Sequence, residues 1–489
     1  MIEKRFLILV VLLALVARFV LAPLYVSPPG QGYSIVPHDF PKYVATANTI
    51  LENRVLYIDK THTGNSPTPY GPLLVLSWVS WIKVFGDDYT LLKIPSIFYD
   101  ALTIVLIFYI SKSLFNLQTA KYASLFYAFS FILLLMSGAD GSDENPLMFF
   151  LLLSVYFLVR SKPNIKLSAL FLGIALLFKL SLGVVFMPVI IYHLLQQKKL
   201  KQSLTYIGIT LLTISIITLP FFLKAGTNVL VQLSFVTNLP ITGTTFLSAV
   251  KMVVNYFTLG MASTYEDNLQ VQMLAKPITI LSIICGTLYI LKFGLKDKRI
   301  ELVRNIFILL LLFTIFSSVG EWHIFVWLVP YMIILLAYNQ PKLSKFNLSK
   351  LEILGYGFVI ASTVIYAALY RETKIPEYSF LEQSLVIASV VMASVGTYLS
   401  LIKTKLRAMW TFSMFSWALW LTNHTKMLMV FGSVIPLFRS PLWSYGIQDF
   451  SSVVLITISS IMLFVSVHKA TQKDFTHTGF IRNLKSILK

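Results

Sequence analysis

Four carboxylates stand where they can do acid–base chemistry. The stretch GADGSDENP (138–146) contains Asp140, Asp143 and Glu144 within five consecutive residues, in a chain that is only 12% charged. Asp39 stands in VPHDF, just before a stripe of apolar residues at helical spacing. Two such groups that share a cleft can act as a general base and a holder of an acceptor hydroxyl, or together grip a divalent cation.

Helix capping is the simpler explanation for some of these residues. Asp39 has the side chain of an N-cap for a helix that begins at Phe40. In the second stretch, Asn145 would be the cap and Pro146 the first helical residue. Capping is compatible with catalysis at Asp39, because a capped carboxylate is also fixed in place. His38, its neighbour, is expected to be ordinary loop polarity or a supporting residue.

Two basic side chains could bind a phosphate opposite these acids. Lys179 interrupts the apolar run GIALLFKLSLGVVFMP at an expected turn between two helices. His323 stands in GEWHIFVWLVPY at an expected helix start. A lysine at the headgroup level either extends to water or meets a lipid phosphate. His323 is either an interface residue or a second donor to the phosphate.

Other polar residues have both a structural and a functional interpretation. Asp100 lies inside the run KIPSIFYDALTIVL, where a charge costs about 2–3 kcal/mol, so it is either functional or hydrogen-bonded to a neighbouring helix. Tyr70 belongs to the Pro/Gly-rich turn SPTPYGPLL. Tyr265, Glu266 and Asp267 stand together in a long loop, and such loops are often lids.

The composition indicates an all-α polytopic membrane protein. The 489 residues are 56% hydrophobic with mean hydropathy +0.76, and the apolar runs are long enough to span a bilayer. The first run, after MIEKR, is predicted to be a retained helix. The net charge of +19 does not indicate nucleic acid, because most Lys and Arg lie in short loops between apolar runs. The single cysteine, Cys285, excludes an internal disulfide.

The basic loops predict the topology. If they are all cytoplasmic, the outward loops are 27–90, 138–146 and 223–275, with short outward turns near Lys179, 320–323 and 372–380. Residues 72–85 are short for a span and are predicted to form an interfacial helix in the first outer loop. About 13 transmembrane helices result. Both carboxylate groups then face the same side of the membrane.

The order of these features resembles the GT-C superfamily of membrane glycosyltransferases. Within it, SPTPYGPLLVLSWV, KIPSIFYDALTIVLIFY and GADGSDENPLMFFLLLSVYF are most similar to glycosylphosphatidylinositol mannosyltransferase I and related prokaryotic polyprenyl-phosphate-mannose enzymes. The resemblance covers about residues 1–335 as a catalytic module, and 336–489 would be variable C-terminal helices. That family has two acids flanking one residue in the first loop, whereas PHDFP offers only Asp39.

The resemblance implies an inverting transfer of a hexose, mannose by analogy, from a polyprenyl-phosphate donor to a lipid-linked glycan or protein hydroxyl. Asp39 would be the base, and Asp140, Asp143 or Glu144 would orient the acceptor. Lys179 and His323 would take the phosphate charge, and the loop around Tyr265 would exclude water. Monophosphate donors generally need no metal, although a divalent cation is possible. The site would face away from the cytoplasm, in the plasma membrane or, in a eukaryote, the endoplasmic reticulum.

Two other functions remain open from the sequence. A flippase or transporter of polyprenyl-linked sugars would also be basic and polytopic, but it would place polar residues near the midplane of an internal repeat. The chain shows no such repeat, and its acids gather at one face. A glycan polymerase would be expected to carry arginine-rich outer loops, whereas the outer loops here are acidic.

Overall fold

The described residues are almost entirely helical, as the all-α prediction requires. In hydrocarbon an apolar run forms a helix because each backbone N–H and C=O then finds its partner within the same segment. The structure, a computed structural model, describes residues 2–24, 40–58, 70–230, 242–243, 247, 269–316, 319–320, 326–338, 346–369, 380–404, 407–423, 446–472 and 475–477.

The first half of the chain is a series of helices broken by short turns. In order these are α1 (Ile2–Leu21), α2 (Phe40–Leu51), α3 (Pro72–Phe85), α4 (Tyr89–Leu92), α5 (Ile94–Leu114), α6 (Leu117–Ala128), α7 (Phe131–Leu134), a π-helix (Leu135–Asp140), α8 (Glu144–Val159), α9 (Ile165–Phe178), a 3₁₀ turn (Leu180–Leu182), α10 (Gly183–Gln196), α11 (Leu200–Ala225) and a second 3₁₀ turn (Gly226–Leu230).

The second half adds longer helices and four very short strands. In order these are β1 (Thr242–Gly243), α12 (Leu269–Lys292), β2 (Phe293–Leu295), α13 (Lys298–Phe316), β3 (Val319–Gly320), α14 (Val329–Tyr338), α15 (Lys350–Leu369), α16 (Phe380–Ser400), α17 (Arg407–Asn423), α18 (Gly446–Thr471) and β4 (Phe475–His477). Strand β1 pairs with β3 in parallel, and β2 pairs with β4 antiparallel.

Several helices have the length and the exposed apolar faces of membrane spans. Within the described residues, four helices are long and apolar enough to cross a bilayer, or five if the bent pair Leu117–Ala128 and Phe131–Asp140 is one span. Leu212, Ile216 and Leu223 of α11 are each more than half exposed. The chain is a multi-pass integral membrane protein, as predicted. The predicted number of about 13 spans is not confirmed.

Contacts at both ends of α1 and α5 fix how these two helices run. Lys112, in the last turn of α5, pairs with Glu3 in the first turn of α1 at 2.6 Å. At the opposite end, the Lys93 ammonium donates to the backbone oxygen of Ala22 at 2.7 Å. Helices α1 and α5 are therefore antiparallel, and the chain between them starts and finishes at the same end of the bundle.

The same two ends are marked in α8 and α9. The Asn145 amide donates to the Ser96 hydroxyl at 2.6 Å, and the Ser113 hydroxyl donates to the backbone oxygen of Val159 at 3.0 Å. Helix α8 therefore runs parallel to α5, and α9 returns antiparallel to it. We call the end that carries residues 138–146 the acid end, and the opposite end, with Lys112 and Glu3, the basic end.

Helix α3 has both of its ends at the acid end. Before it, Gly71 packs so tightly on the last turn of α9 that an added Cβ would lie 1.9 Å from the backbone oxygen of Leu177. After it, the short helix α4 leads directly to Lys93. Residues 72–85 therefore return to the end from which they started, which agrees with the prediction that they do not cross the membrane.

The C-terminal helices pack on the first half rather than apart from it. In α15, the Tyr366 ring meets Phe131 edge to face, and Tyr356 meets Phe129. At the basic end, the buried Lys121 ammonium lies 5.3 Å from the centre of the Phe346 ring. The domain boundary between residues 335 and 336 stays a prediction. Helix α15 packs into the same core as the predicted catalytic module, residues 1–335.

Candidate active site

The acidic hinge, residues 138–146, is built on an irregular backbone. A π-helix runs from Leu135 to Asp140, and Gly141 then takes a left-handed conformation with φ 74°. Single π-turns inside α-helices are frequent at functional sites. Helix α8 begins at Glu144, so the predicted cap at Asn145 is wrong. Asn145 is instead held by its bond to Ser96, a tertiary contact that competes with capping.

A buried lysine lies directly against the hinge. Lys93 is fully buried and its side chain fills the space beside Gly141, where an added Cβ would lie 2.5 Å from the lysine Cγ. Its ammonium lies within electrostatic range of the Asp140 carboxylate. Asp140 is itself buried, with 7% of its surface exposed. The Lys93 side chain therefore packs against the middle of the hinge at Gly141 and joins it to the end of α1 at Ala22.

The third acid of the hinge is paired with the predicted phosphate cation. The Lys179 ammonium donates to Glu144 Oε1, and the Trp327 indole N–H donates to Glu144 Oε2 at 2.6 Å. The Lys179 ammonium also lies 5.4 Å from the centre of the Trp327 ring. Three elements meet here, since Glu144 starts α8, Lys179 follows α9, and Trp327 stands just before α14.

Burial separates the possible roles of these groups. The Glu144 side chain is fully buried, whereas 29% of the Lys179 side chain is exposed. Asp143 is of intermediate exposure, the most accessible acid of the hinge. The contacts of Glu144 hold the Lys179 ammonium in place, and the catalytic role that we predicted for Glu144 stays a prediction.

Lys179 owes its position to a break in the helices, as predicted. Helix α9 ends at Phe178, and Lys179 itself has extended backbone angles, φ −146° and ψ 100°. A 3₁₀ turn then leads into α10, which starts at Gly183. Because the residue lies at neither helix's interior, its side chain can reach across to the start of α8.

Asp100 lies in a buried charge network next to the hinge. Arg18 donates to its carboxylate at 2.5 Å and to the Ser137 hydroxyl at 2.8 Å, and Tyr127 donates to Asp100 at 2.9 Å. Both Arg18 and Asp100 are fully buried. The backbone of Gly138 also packs on Arg18. These contacts support the structural interpretation of Asp100, as a residue that fixes the π-helix.

Helices α2 and α3, which we call the first-loop layer, are attached through Tyr70 to the part of the molecule that holds Glu144 and Lys179. Tyr43 of α2 meets the Tyr70 ring at 5.0 Å and stacks on Trp78 of α3 at 4.9 Å. The Tyr57 hydroxyl donates to the backbone oxygen of Tyr70 at 2.9 Å. Tyr70 is followed by Gly71, which packs on the last turn of α9 just before Lys179. Helix α2 thus packs on Tyr70, next to the contact of Gly71 with the end of α9.

The remaining predicted residues lie outside the described part of the chain: His38, Asp39, Tyr265, Glu266, Asp267 and His323. Two described fragments come close to them in sequence. Helix α2 starts at Phe40, as predicted, immediately after Asp39. Thr242 and Gly243 of the long loop pair with Val319 and Gly320, just before His323.

The described acids do not converge on a single point. No group of three or more His, Cys, Asp or Glu side chains in the described ranges could hold a metal ion. Asp140 faces Lys93, whereas Glu144 faces Lys179 and Trp327. A divalent cation held with the help of Asp39, which lies outside the described ranges, stays a prediction.

Three residues that contact the hinge, Arg18, Lys93 and Trp327, were not identified from the sequence as its partners. Arg18 and Lys93 are charged residues in or beside apolar runs, which is a signal for an intramembrane partner. Trp327 was interpreted only as an interface aromatic. No local pattern reveals that its indole reaches Glu144, which is 183 residues away.

Comparison with known proteins supports the predicted resemblance. Residues 69–223 match the family model of dolichyl-phosphate-mannose-protein mannosyltransferases. GPI mannosyltransferase 1 of Candida albicans is 34% identical over 98 residues, which are 18% of this chain and 24% of that protein. This chain therefore matches about a quarter of the length of that relative. Both matches are to mannosyltransferases, and they confirm the predicted resemblance to the GT-C superfamily over the regions that they cover.

Solved structures give weaker similarity. ArnT from Cupriavidus metallidurans bound to undecaprenyl phosphate is 11% identical with a TM-score of 0.47, covering 94% of this chain and 77% of that one. Its apo structure is 13% identical with a TM-score of 0.49, covering 96% of this chain and 78% of that one.

The region of the family match, residues 69–223, includes the acidic hinge and Lys179, but neither Asp39 nor Trp327.

Proposed function

We propose that this chain is a membrane glycosyltransferase that moves a hexose from a polyprenyl-phosphate donor to a hydroxyl group, and that this hexose is mannose. The acceptor would be a lipid-linked glycan or a protein, and the site would lie at the non-cytoplasmic face. The observation that carries the proposal is the Lys179 ammonium, held by the buried Glu144 at the acid end, within the region that matches the mannosyltransferase family model.

The donor's chemistry explains why a fixed cation belongs there. A sugar on a lipid phosphate has its reactive carbon at the headgroup level, next to a good leaving group. When the acceptor oxygen bonds to that carbon, the bond to the phosphate oxygen breaks and the lipid phosphate gains negative charge. A prepositioned ammonium stabilises this charge without reorganising in the reaction. Lys179 would supply it.

The proton of the acceptor hydroxyl needs a base. Asp39 would take it, since this residue directly precedes α2 in sequence, and Tyr43 of α2 packs on Tyr70 next to the end of α9. Asp143 would orient the acceptor, being the most accessible acid of the hinge. Attack from the side opposite the phosphate inverts the configuration of the sugar carbon. No step in this scheme requires a metal, because the leaving group is a monophosphate ester.

A transfer assay tests the proposal. Purified protein is incubated with a panel of polyprenyl-phosphate sugars and an acceptor, and the products are identified by mass. We expect transfer from one donor, and a donor KM about tenfold or more higher in Lys179→Ala, because hydrogen bonds to charged groups are worth about 1.5–3 kcal/mol. Lys166→Ala is the matched control, since Lys166 is an exposed lysine at the basic end of α9.

Two results would contradict the proposal. Movement of the donor across the bilayer without any product would indicate a flippase. An unchanged donor KM in Lys179→Ala would remove this residue from the phosphate site.

A further inference from the structure

The Glu144 carboxylate is divided between two partners from different parts of the chain. Its Oε1 accepts from Lys179, and its Oε2 accepts from the Trp327 indole at 2.6 Å. Glu144 is fully buried and Trp327 is 2% exposed, so neither contact is exchanged easily for water. Hydrogen bonds to a buried charged group are roughly twice as strong as neutral ones and orient it.

Trp327 also touches Lys179 directly. The ammonium lies 5.4 Å from the centre of the indole ring, within the range of a cation–π contact. The tryptophan therefore acts on the lysine in two ways: its ring attracts the ammonium, and its N–H fixes the carboxylate that holds the ammonium. Removing the N–H would leave a buried carboxylate oxygen without this donor, and Glu144 could turn away from Lys179.

Trp327 stands in a segment with a second attachment. Seven residues earlier, Val319 and Gly320 pair with Thr242 and Gly243 of the long loop between α11 and α12. Trp327 lies seven residues after Gly320, and α14 begins two residues after Trp327.

We propose that Trp327 is a positioning residue for donor binding: through Glu144 it sets the Lys179 ammonium at the donor phosphate. Donor affinity then depends on the contacts of Trp327 with Glu144 and Lys179. This inference rests on the proposed function, because it assumes that Lys179 binds the donor phosphate.

Trp327→Phe tests it, because this variant keeps an aromatic ring and loses the N–H. We expect the donor KM to rise about tenfold, the loss of one hydrogen bond to a charged group, with kcat changed less than about twofold. Trp410→Phe is the matched control, since Trp410 is another fully buried tryptophan, which packs on Phe126 and Trp417. That control should leave the donor KM unchanged.

A double-mutant cycle separates positioning from packing. Once Lys179 is an alanine, Trp327→Phe should raise the donor KM no further, because the group that it positions is gone. Trp327→His, which restores a ring N–H, should recover part of the donor affinity. Thermal unfolding in detergent shows which variants fold. If Trp327→Phe does not fold, the cycle can be repeated with Glu144→Gln.

The outcomes distinguish the two proposals. If wild type transfers no sugar, the proposed function fails. If wild type transfers sugar but the effects of Trp327→Phe and Lys179→Ala on donor KM multiply, Trp327 acts only through packing and the inference is refuted. A fall in kcat at unchanged donor KM would refute it as well.

Discussion

The ion pair between Arg18 and Asp100 gives a prediction whose size follows from its burial. Both side chains are fully buried and their closest atoms are 2.5 Å apart. Arg18→Met removes the cation and leaves the carboxylate with Tyr127 as its recorded hydrogen-bond donor. Breaking a buried pair from one side costs about 3–5 kcal/mol, because a charge stays behind without its counter-ion. We expect a loss of that size in the free energy of unfolding.

The double variant Arg18→Met/Asp100→Leu should be more stable than Arg18→Met. It removes both charges, and replacing a whole buried pair by apolar groups is often close to neutral. Arg18 also donates to the backbone oxygen of Ala128 at 3.0 Å, which loses this donor in both variants. The loss of that bond leaves a residual cost of about 1–3 kcal/mol.

The pair between Lys112 and Glu3 provides the matched control. It joins the same two helices at the basic end, but its side chains are 40% and 29% exposed. Exposed pairs contribute about 0–1 kcal/mol, so Lys112→Met should have a small effect. Unfolding by SDS in mixed micelles, followed by circular dichroism, measures all four proteins. If Arg18→Met costs no more than Lys112→Met, or the double variant is less stable than Arg18→Met, the reasoning about buried charge is wrong.

Three further predictions concern the site and the loops. Asp39→Asn should lower the initial rate of transfer by about 100–10,000-fold, the usual value of a general base, and a variant that keeps a tenth of the rate would exclude this role. Gly71→Ala should reduce the yield of folded protein in size-exclusion chromatography, since its Cβ would meet the Leu177 oxygen at 1.9 Å, and a normal yield would show that the layer is free to shift. Burial alone would raise the pKa of Asp297, but its bonds to Arg299 outweigh this and bring the pKa below its usual value of 3.8. The ionised Asp297 therefore stabilises the fold above pH 3.8, and this stability is lost as the pH falls through the lower folded pKa. Asp297→Asn should flatten the acid side of a plot of Tm against pH. A curve parallel to that of the wild type would contradict the pKa shift.

Features that depend on local sequence were predicted well. The apolar stripe from Phe40 and the proline and glycine around residues 72–85 predicted α2 and α3, which begin at Phe40 and Pro72. The break at Lys179 was also found, because one charge in a long apolar run marks a helix end. In each case the signal and the element that it predicts lie within a few residues of each other.

Features that depend on neighbouring helices were not predictable in this way. Periodicity identifies the buried face of a helix but not the helix that covers it. The pairing of Arg18 with Asp100 spans 82 residues, and that of Glu144 with Trp327 spans 183. The wrong cap at Asn145 has the same origin, since its partner Ser96 belongs to another helix.

The separation of Arg18 from Asp100 has a consequence for how the protein is made. Asp100, the counter-ion of Arg18, lies in α5, 82 residues further along the chain. At a synthesis rate of about 5–20 residues per second, the 82 residues between them take about 4–16 s. During that interval the nascent chain carries Arg18 in α1 without its partner Asp100. Truncated chains that end before residue 100 should therefore leave α1 easier to extract from the membrane than chains that extend past α5.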